Sequence, residues 1–288
     1  MIGNPRLQRL ARVDTHQLDQ RGRYWRRLSG WSGWGRVGMC LGFFAIAMIY
    51  VPIALLALMS ISQSPLSGIP YPLTLQHYGT LLSDGRWLLP LQKSVIMGVV
   101  VAFTCMLVAT LVGRAITRMK RPGGVLIVSL IPLFVPGLTM GAALFIFLRT
   151  MLDLKLGLWS IFVAHMVWAL PFALLLVLVV ASRFDLRLLE AASDLGANNW
   201  QRFWQIEFPI LRPGIMGAGI FGFLLSFNEL LRSIFVRGQE TTMPIYNWAM
   251  AASQQSQVPI IFALATIILL VTLPVMSIFF WLLFRKAG

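Results

Sequence analysis

The chain has 288 residues, of which 58% are hydrophobic and 12% charged, with a mean hydropathy of +0.77. A soluble domain of this size cannot hide that much apolar surface, because polar groups must still cover its exterior. The formal charge of +14 does not point to nucleic acid, since the basic residues lie beside apolar runs instead of forming one basic domain.

Residues 1–37 form an Arg-rich tail, which ends in Trp31 and Trp34 beside the first apolar run. Aromatic rings and arginines there suit the headgroup layer. Gly30-Trp31-Ser32-Gly33 matches a GxSG nucleophile pattern. No catalytic recess accompanies it, so an intramembrane serine protease is a chance match of four residues.

Residues 38–288 carry six segments long enough to cross a bilayer, which takes about 20 apolar residues. They are Gly38–Ile61, Val95–Arg114, Gly124–Leu148, Gly157–Ala181, Gly214–Leu231 and Ile260–Phe284. The first is too long for a signal peptide and lacks a cleavage site, so it reads as an uncleaved anchor. Cys40 and Cys105 fall in apolar runs and act as small hydrophobes. No CxxC occurs and the histidines are dispersed, so no metal or disulfide framework is expected. Pro52, Pro132, Pro136, Pro171 and Pro274 fall within spans, either as ordinary kinks or as breaks beside a solute path. Gly38-xxx-Gly42 and Gly137-xxx-Gly141 permit close helix contact.

Lysine and arginine distribution sets the orientation. With the N-terminus inside, the inner connections hold eighteen and the outer ones six. Both termini are therefore expected in the cytoplasm.

Between the fourth and fifth spans lies a cytoplasmic loop, residues 183–213. Leu186, Leu189, Ala192 and Leu195 recur at helical spacing, as do Trp200, Phe203, Trp204 and Phe208. Gly196 suits a positive-φ break between two short helices, and Asn198 a cap for the second. Pro209 and Pro213 are expected to end that helix. Physics alone leaves two uses for such an amphipathic pair: lying in the headgroup layer or docking into a groove of another protein.

The segment EAASDLGANNWQRFWQIEFPILRPGI resembles the EAA loop of binding-protein-dependent ABC transporter permeases. Glu190, Ala191, Ala192, Gly196, Ala197, Phe203, Ile206, Pro209 and Pro213 match the pattern. PLTLQHYGTLLSDGRWLLPLQKSV is similar to the segment before the second span in spermidine/putrescine-type permeases, with Lys93 where they usually carry Asn. The resemblance implies an all-α, six-span type I (MetI-like) permease fold in a bacterial inner membrane. It also implies that the loop is a coupling helix seated on a dimer of ATP-binding subunits. A second permease subunit, paralogue or copy, and an external solute-binding protein are implied as well. No GxxxxGK[ST] phosphate loop occurs, so the chain is expected to be non-catalytic and to bind no cofactor, with ATP and Mg used by the partner. Polyamine is the first solute implied, with opines, amino-acid derivatives and phosphonates open.

Asn228 and Glu229, late in the fifth span, are the candidate substrate-path residues, because a buried acid in a membrane is costly and usually faces a cavity or a partner. The competing reading of Glu229 is an i,i+3 pair with Arg232, or exposure at the outer interface. A secondary transporter or channel is the rival to the whole reading. It would need its own coupling-ion site or filter, and neither is evident in the spans.

Overall fold

The computed structural model describes residues 34–253 and 255–284. Most of the Arg-rich tail, with Ser32 and its GxSG neighbours, lies outside the described residues, as do Arg285 and Lys286.

The described residues are overwhelmingly helical, as apolar segments must be where no water can satisfy backbone N–H and C=O groups. In chain order they form α1 (Trp34–Met59), α2 (Gln76–Ser83), α3 (Leu88–Thr117) and α4 (Gly123–Leu130). Next come α5 (Gly137–Phe145), α6 (Leu158–Ala181), α7 (Arg187–Asp194) and α8 (Asn199–Arg202). The last are α9 (Phe208–Phe227), α10 (Ser233–Val236), α11 (Met243–Ser253) and α12 (Val258–Phe284). Five helical runs are long and apolar enough to cross a membrane, and a sixth results if the bent pair Gly123–Phe134 and Gly137–Met151 counts as one span.

The core is the trio α3, α6 and α9, which pack on one another more extensively than any other elements. Val101, Cys105, Ala109, Ala164, Ala169, Ala173 and Ala218 fill it. Small residues allow the close approach, since helices in lipid gain from packing and not from excluding water. A Cβ at Gly222 would lie 3.1 Å from the Cα of Ala102, and one at Gly214 would lie 3.0 Å from the Leu176 carbonyl oxygen. α1 lies outside this trio, with none of its most apolar window buried.

Three departures from the sequence-based expectations have local causes. The third span is not one helix. Its halves bend by 99°, because Val135, forced out of helical geometry ahead of Pro136, is extended at φ −92°, ψ 124°. Pro209 and Pro213 do not end a helix, since α8 continues through a π-helical turn, Phe203–Glu207, into α9 with Pro213 inside it. Pro209 falls in the first turn after this register change, where a donor is already lost, and Pro213 sits one turn further inside the helix. The glycine pairs also part company. Among the described residues nothing lies within 4 Å of a Cβ built on Gly38 or Gly42, whereas Gly137 and Gly141 press against Arg232 and Phe235.

Contacts at the two ends of the bundle set the direction of α3 against α6. At one end Gly113 of α3 meets Val177 near the end of α6. At the other, Ser94 of α3 bonds the Met243 amide, while Ser160 of α6 donates to the Val236 carbonyl. α3 and α6 are therefore parallel, and the chain joining them must return from one end to the other.

Candidate functional site

Two regions answer the residues singled out from sequence. At the end of the bundle where α3 finishes, α7 and α8 form a hairpin. Asp185 accepts the Arg187 amide at 3.0 Å and starts α7. Gly196 breaks it at φ +85° with open space around it, a conformation that costs glycine little. The amides of Leu195, Gly196 and Ala197 close back onto the carbonyls of Ala191, Ser193 and Ala192. Asn198 accepts the Gln201 amide while Gln201 accepts the Asn198 amide, both at 2.9 Å, a reciprocal cap. Arg202 then ties the two helices together through Ser193 and the Leu189 carbonyl.

Of the EAA-pattern residues, Glu190, Ala191, Gly196 and Pro209 are exposed; Ala197, Phe203 and Ile206 are half-buried and Ala192 is buried. The hairpin displays apolar groups to the outside: Leu195 is 89% and Trp200 70% exposed. Trp200, Phe203, Trp204 and Phe208 form one ring cluster, with the Trp204–Phe208 centroids 4.9 Å apart.

Sequence reasoning missed the anchor beneath this hairpin. Glu207, in the π-helical turn, is 4% exposed. Arg114 of α3 donates to both its carboxylate oxygens at 2.7 Å, and Arg118 adds longer contacts at 3.2 Å. The Arg114 guanidinium also covers the Phe203 ring, 4.5 Å from its centroid. The available signal was an acid at Glu207 between apolar residues and a base at Arg114 closing an apolar run. Such charges seek each other because neither can be buried unpaired.

At the opposite end the two substrate-path candidates point different ways. α9 stops at Phe227, so Glu229 lies beyond its C-terminus and not within a helical turn. Its carboxylate accepts the Arg232 amide at 2.9 Å and the Arg232 guanidinium at 2.8 Å, with both side chains buried. Arg232, the i,i+3 partner the sequence offered, is 4% exposed and stacked over Trp168 at 4.1 Å. Beside this pair His165 bonds Ser226 and Ser233, each at 2.7 Å. Asn228 is exposed and lines a cavity of about 330 Å³ with Phe223, Phe227, Met243, Asn247 and Thr272. The Asn247 side-chain oxygen there is buried without a hydrogen-bond partner among the described residues. Lys93, the departure from the polyamine-permease pattern, pairs with Glu240 at 2.6 Å.

The comparisons agree with this architecture. Residues 123–287 match the family described as binding-protein-dependent transport system inner membrane component. The chain is 30% identical over 233 residues to the spermidine/putrescine transport system permease protein PotC of Escherichia coli (strain K12), covering 79% of this chain and 86% of that protein. It is 26% identical over 247 residues to the putrescine transport system permease protein PotI of the same strain, covering 83% and 86%. Its fold is similar to that of a chain in the crystal structure of a bacterial alginate ABC transporter in complex with an alginate pentasaccharide-bound periplasmic protein. That likeness has a TM-score of 0.66 at 16% identity and covers 88% of this chain and 95% of that one. With apolar helices of spanning length and an EAA pattern folded as one hairpin, the chain belongs to the family of multi-pass inner-membrane permeases of binding-protein-dependent transport systems.

Proposed function

We propose that the chain is the permease subunit of an ATP-binding-cassette importer, with six spans, both termini cytoplasmic, and the α7–α8 hairpin seated on a separate ATPase dimer. A second permease subunit completes the path, and an external binding protein delivers the solute. The observation that carries this reading is the hairpin itself, a reciprocally capped helix pair that turns Leu195 and Trp200 outward. Apolar groups so exposed suit a helix-in-groove partner. The parallel run of α3 and α6 supports the count of six, and the basic residues around the hairpin support its cytoplasmic side. The chain itself is non-catalytic and binds no cofactor; ATP and Mg act in the partner.

The solute is a polyamine or a related small polar organic molecule, a reading supported by the polyamine permeases among the relatives. Asn228 lines its route through the cavity between α9, α11 and α12, whereas Glu229 pairs with Arg232, which stacks on Trp168 outside that lining.

Gly196→Val tests the coupling role, because a β-branched residue at φ +85° is strained even in open space. Reconstituted with its partners, the variant is expected to insert normally while ATP-dependent uptake falls about tenfold, a loss of the size one displaced contact surface produces. Uptake at the unsubstituted rate would refute the coupling role of the hairpin.

A further inference from the structure

The hairpin is bound to the membrane domain at one heavily charged point. Arg202 fuses α7 to α8, α8 runs without interruption through Phe203–Glu207 into α9, and Glu207 within that turn is held by α3. Arg114 grips both carboxylate oxygens in a fork while stacking on Phe203, so the turn is fixed in rotation as well as position. A planar guanidinium with two parallel bonds fixes orientation in a way a single charge contact does not.

α3 is also fastened at its far end. Lys93 pairs with Glu240, and the Ser94 hydroxyl accepts the Met243 amide at 2.7 Å. Met243 opens α11, which carries Asn247 into the wall of the cavity beside Asn228. One 30-residue helix thus has an ion cluster around the buried Glu207 at the hairpin and two polar fastenings at its other end, one of them to Met243 of the cavity lining.

We propose that Glu207 and Arg114, assisted by Arg118, are positioning residues that make α3 follow the coupling hairpin, so that hairpin displacement reaches the α11 wall of the cavity. The proposal rests on the importer reading given above. A helix transmits axial movement because its hydrogen bonds resist stretching, and the tight α3–α9 packing at Gly222 and Gly98 prevents the two from sliding apart. The clamp sets the angle at which the turn enters that packed unit. Glu207 has no other ion-pair partner among the described residues, so its removal releases this joint alone.

The test is the solute moved per ATP hydrolysed, measured in proteoliposomes holding the complete transporter. Glu207→Gln keeps the shape and removes the charge; Arg118→Ala removes the half-exposed, weaker arm and is the safer variant for folding. Glu207→Gln is expected to retain ATP hydrolysis while solute per ATP falls about tenfold, and Arg118→Ala to lower it about threefold, within the range of measured coupling effects. Arg149→Ala, which breaks the exposed pair with Asp153, is expected to leave the ratio unchanged. The proposal is overturned if the ratio holds in Arg118→Ala and in any Glu207→Gln that assembles, or if Arg149→Ala lowers it equally. Absence of ATP-driven uptake by the unsubstituted complex would instead remove the importer reading, and the proposal with it.

Discussion

Glu229 and Asn228 are adjacent in sequence, yet the end of α9 at Phe227 sends one inward to Arg232 and leaves the other on the cavity. Their substitutions should therefore differ in kind. Glu229→Gln leaves the Arg232 guanidinium buried over Trp168 with a neutral partner, and breaking a buried pair from one side costs about 3–5 kcal/mol. The expected result is a large drop in thermal unfolding temperature in detergent, with uptake falling only as folded protein falls. Asn228→Ala should unfold at the unsubstituted temperature but require more solute for half-maximal uptake. A thermally normal Glu229→Gln with impaired uptake would return the carboxylate to the solute path. The sequence already offered the i,i+3 partner for Glu229, because spacing alone makes it. Nothing local could offer His165 with Ser226 and Ser233, or Glu207 with Arg114, since those pairs join distant helices.

Helices α6 and α12 were legible almost to the residue, because a long apolar run bounded by polar residues has one low-energy state in lipid. The elements around proline were not. Pro136 breaks a span where Pro171 and Pro274 sit inside continuous helices; packing decides the difference, and the sequence does not display packing. Glycines carry part of that hidden information. Gly222 of α9 faces Ala102 and Cys105 of α3 at contact distance, while a Cβ at Gly38 of α1 has nothing within 4 Å among the described residues. Gly222→Val should force α3 and α9 apart, an overpacking cost of about 1–3 kcal/mol, seen as a lower unfolding temperature and a faster loss of uptake on heating. Gly38→Val should change neither. Equal tolerance at the two positions would mean that the α3–α9 contact is looser than the glycines imply.

Across the molecule, charged side chains gather at both ends of the bundle. Arg114, Arg118 and Arg202 gather about the hairpin, while Lys93, Glu240 and Arg237 meet at the end where α3 and α6 begin. The excess of basic residues around the hairpin, with the positive-inside bias, supports the proposed placement of that end in the cytoplasm. Single cysteines test the assignment directly. Leu195, 89% exposed on the hairpin, and Leu82, 68% exposed on α2, mark the two ends. In a background of Cys40→Ser and Cys105→Ala, a membrane-impermeant maleimide should label Leu82→Cys in intact cells. Leu195→Cys should react only in inside-out vesicles. Labelling of Leu195→Cys should also slow when the ATPase subunits are bound, because the proposed docking would cover the exposed apolar side chain at that position. Orientation and docking are thereby separated: the reverse labelling pattern would invert the topology and detach the hairpin from any cytoplasmic ATPase. The expected topology without protection would keep the hairpin inside but move its partner surface away from Leu195.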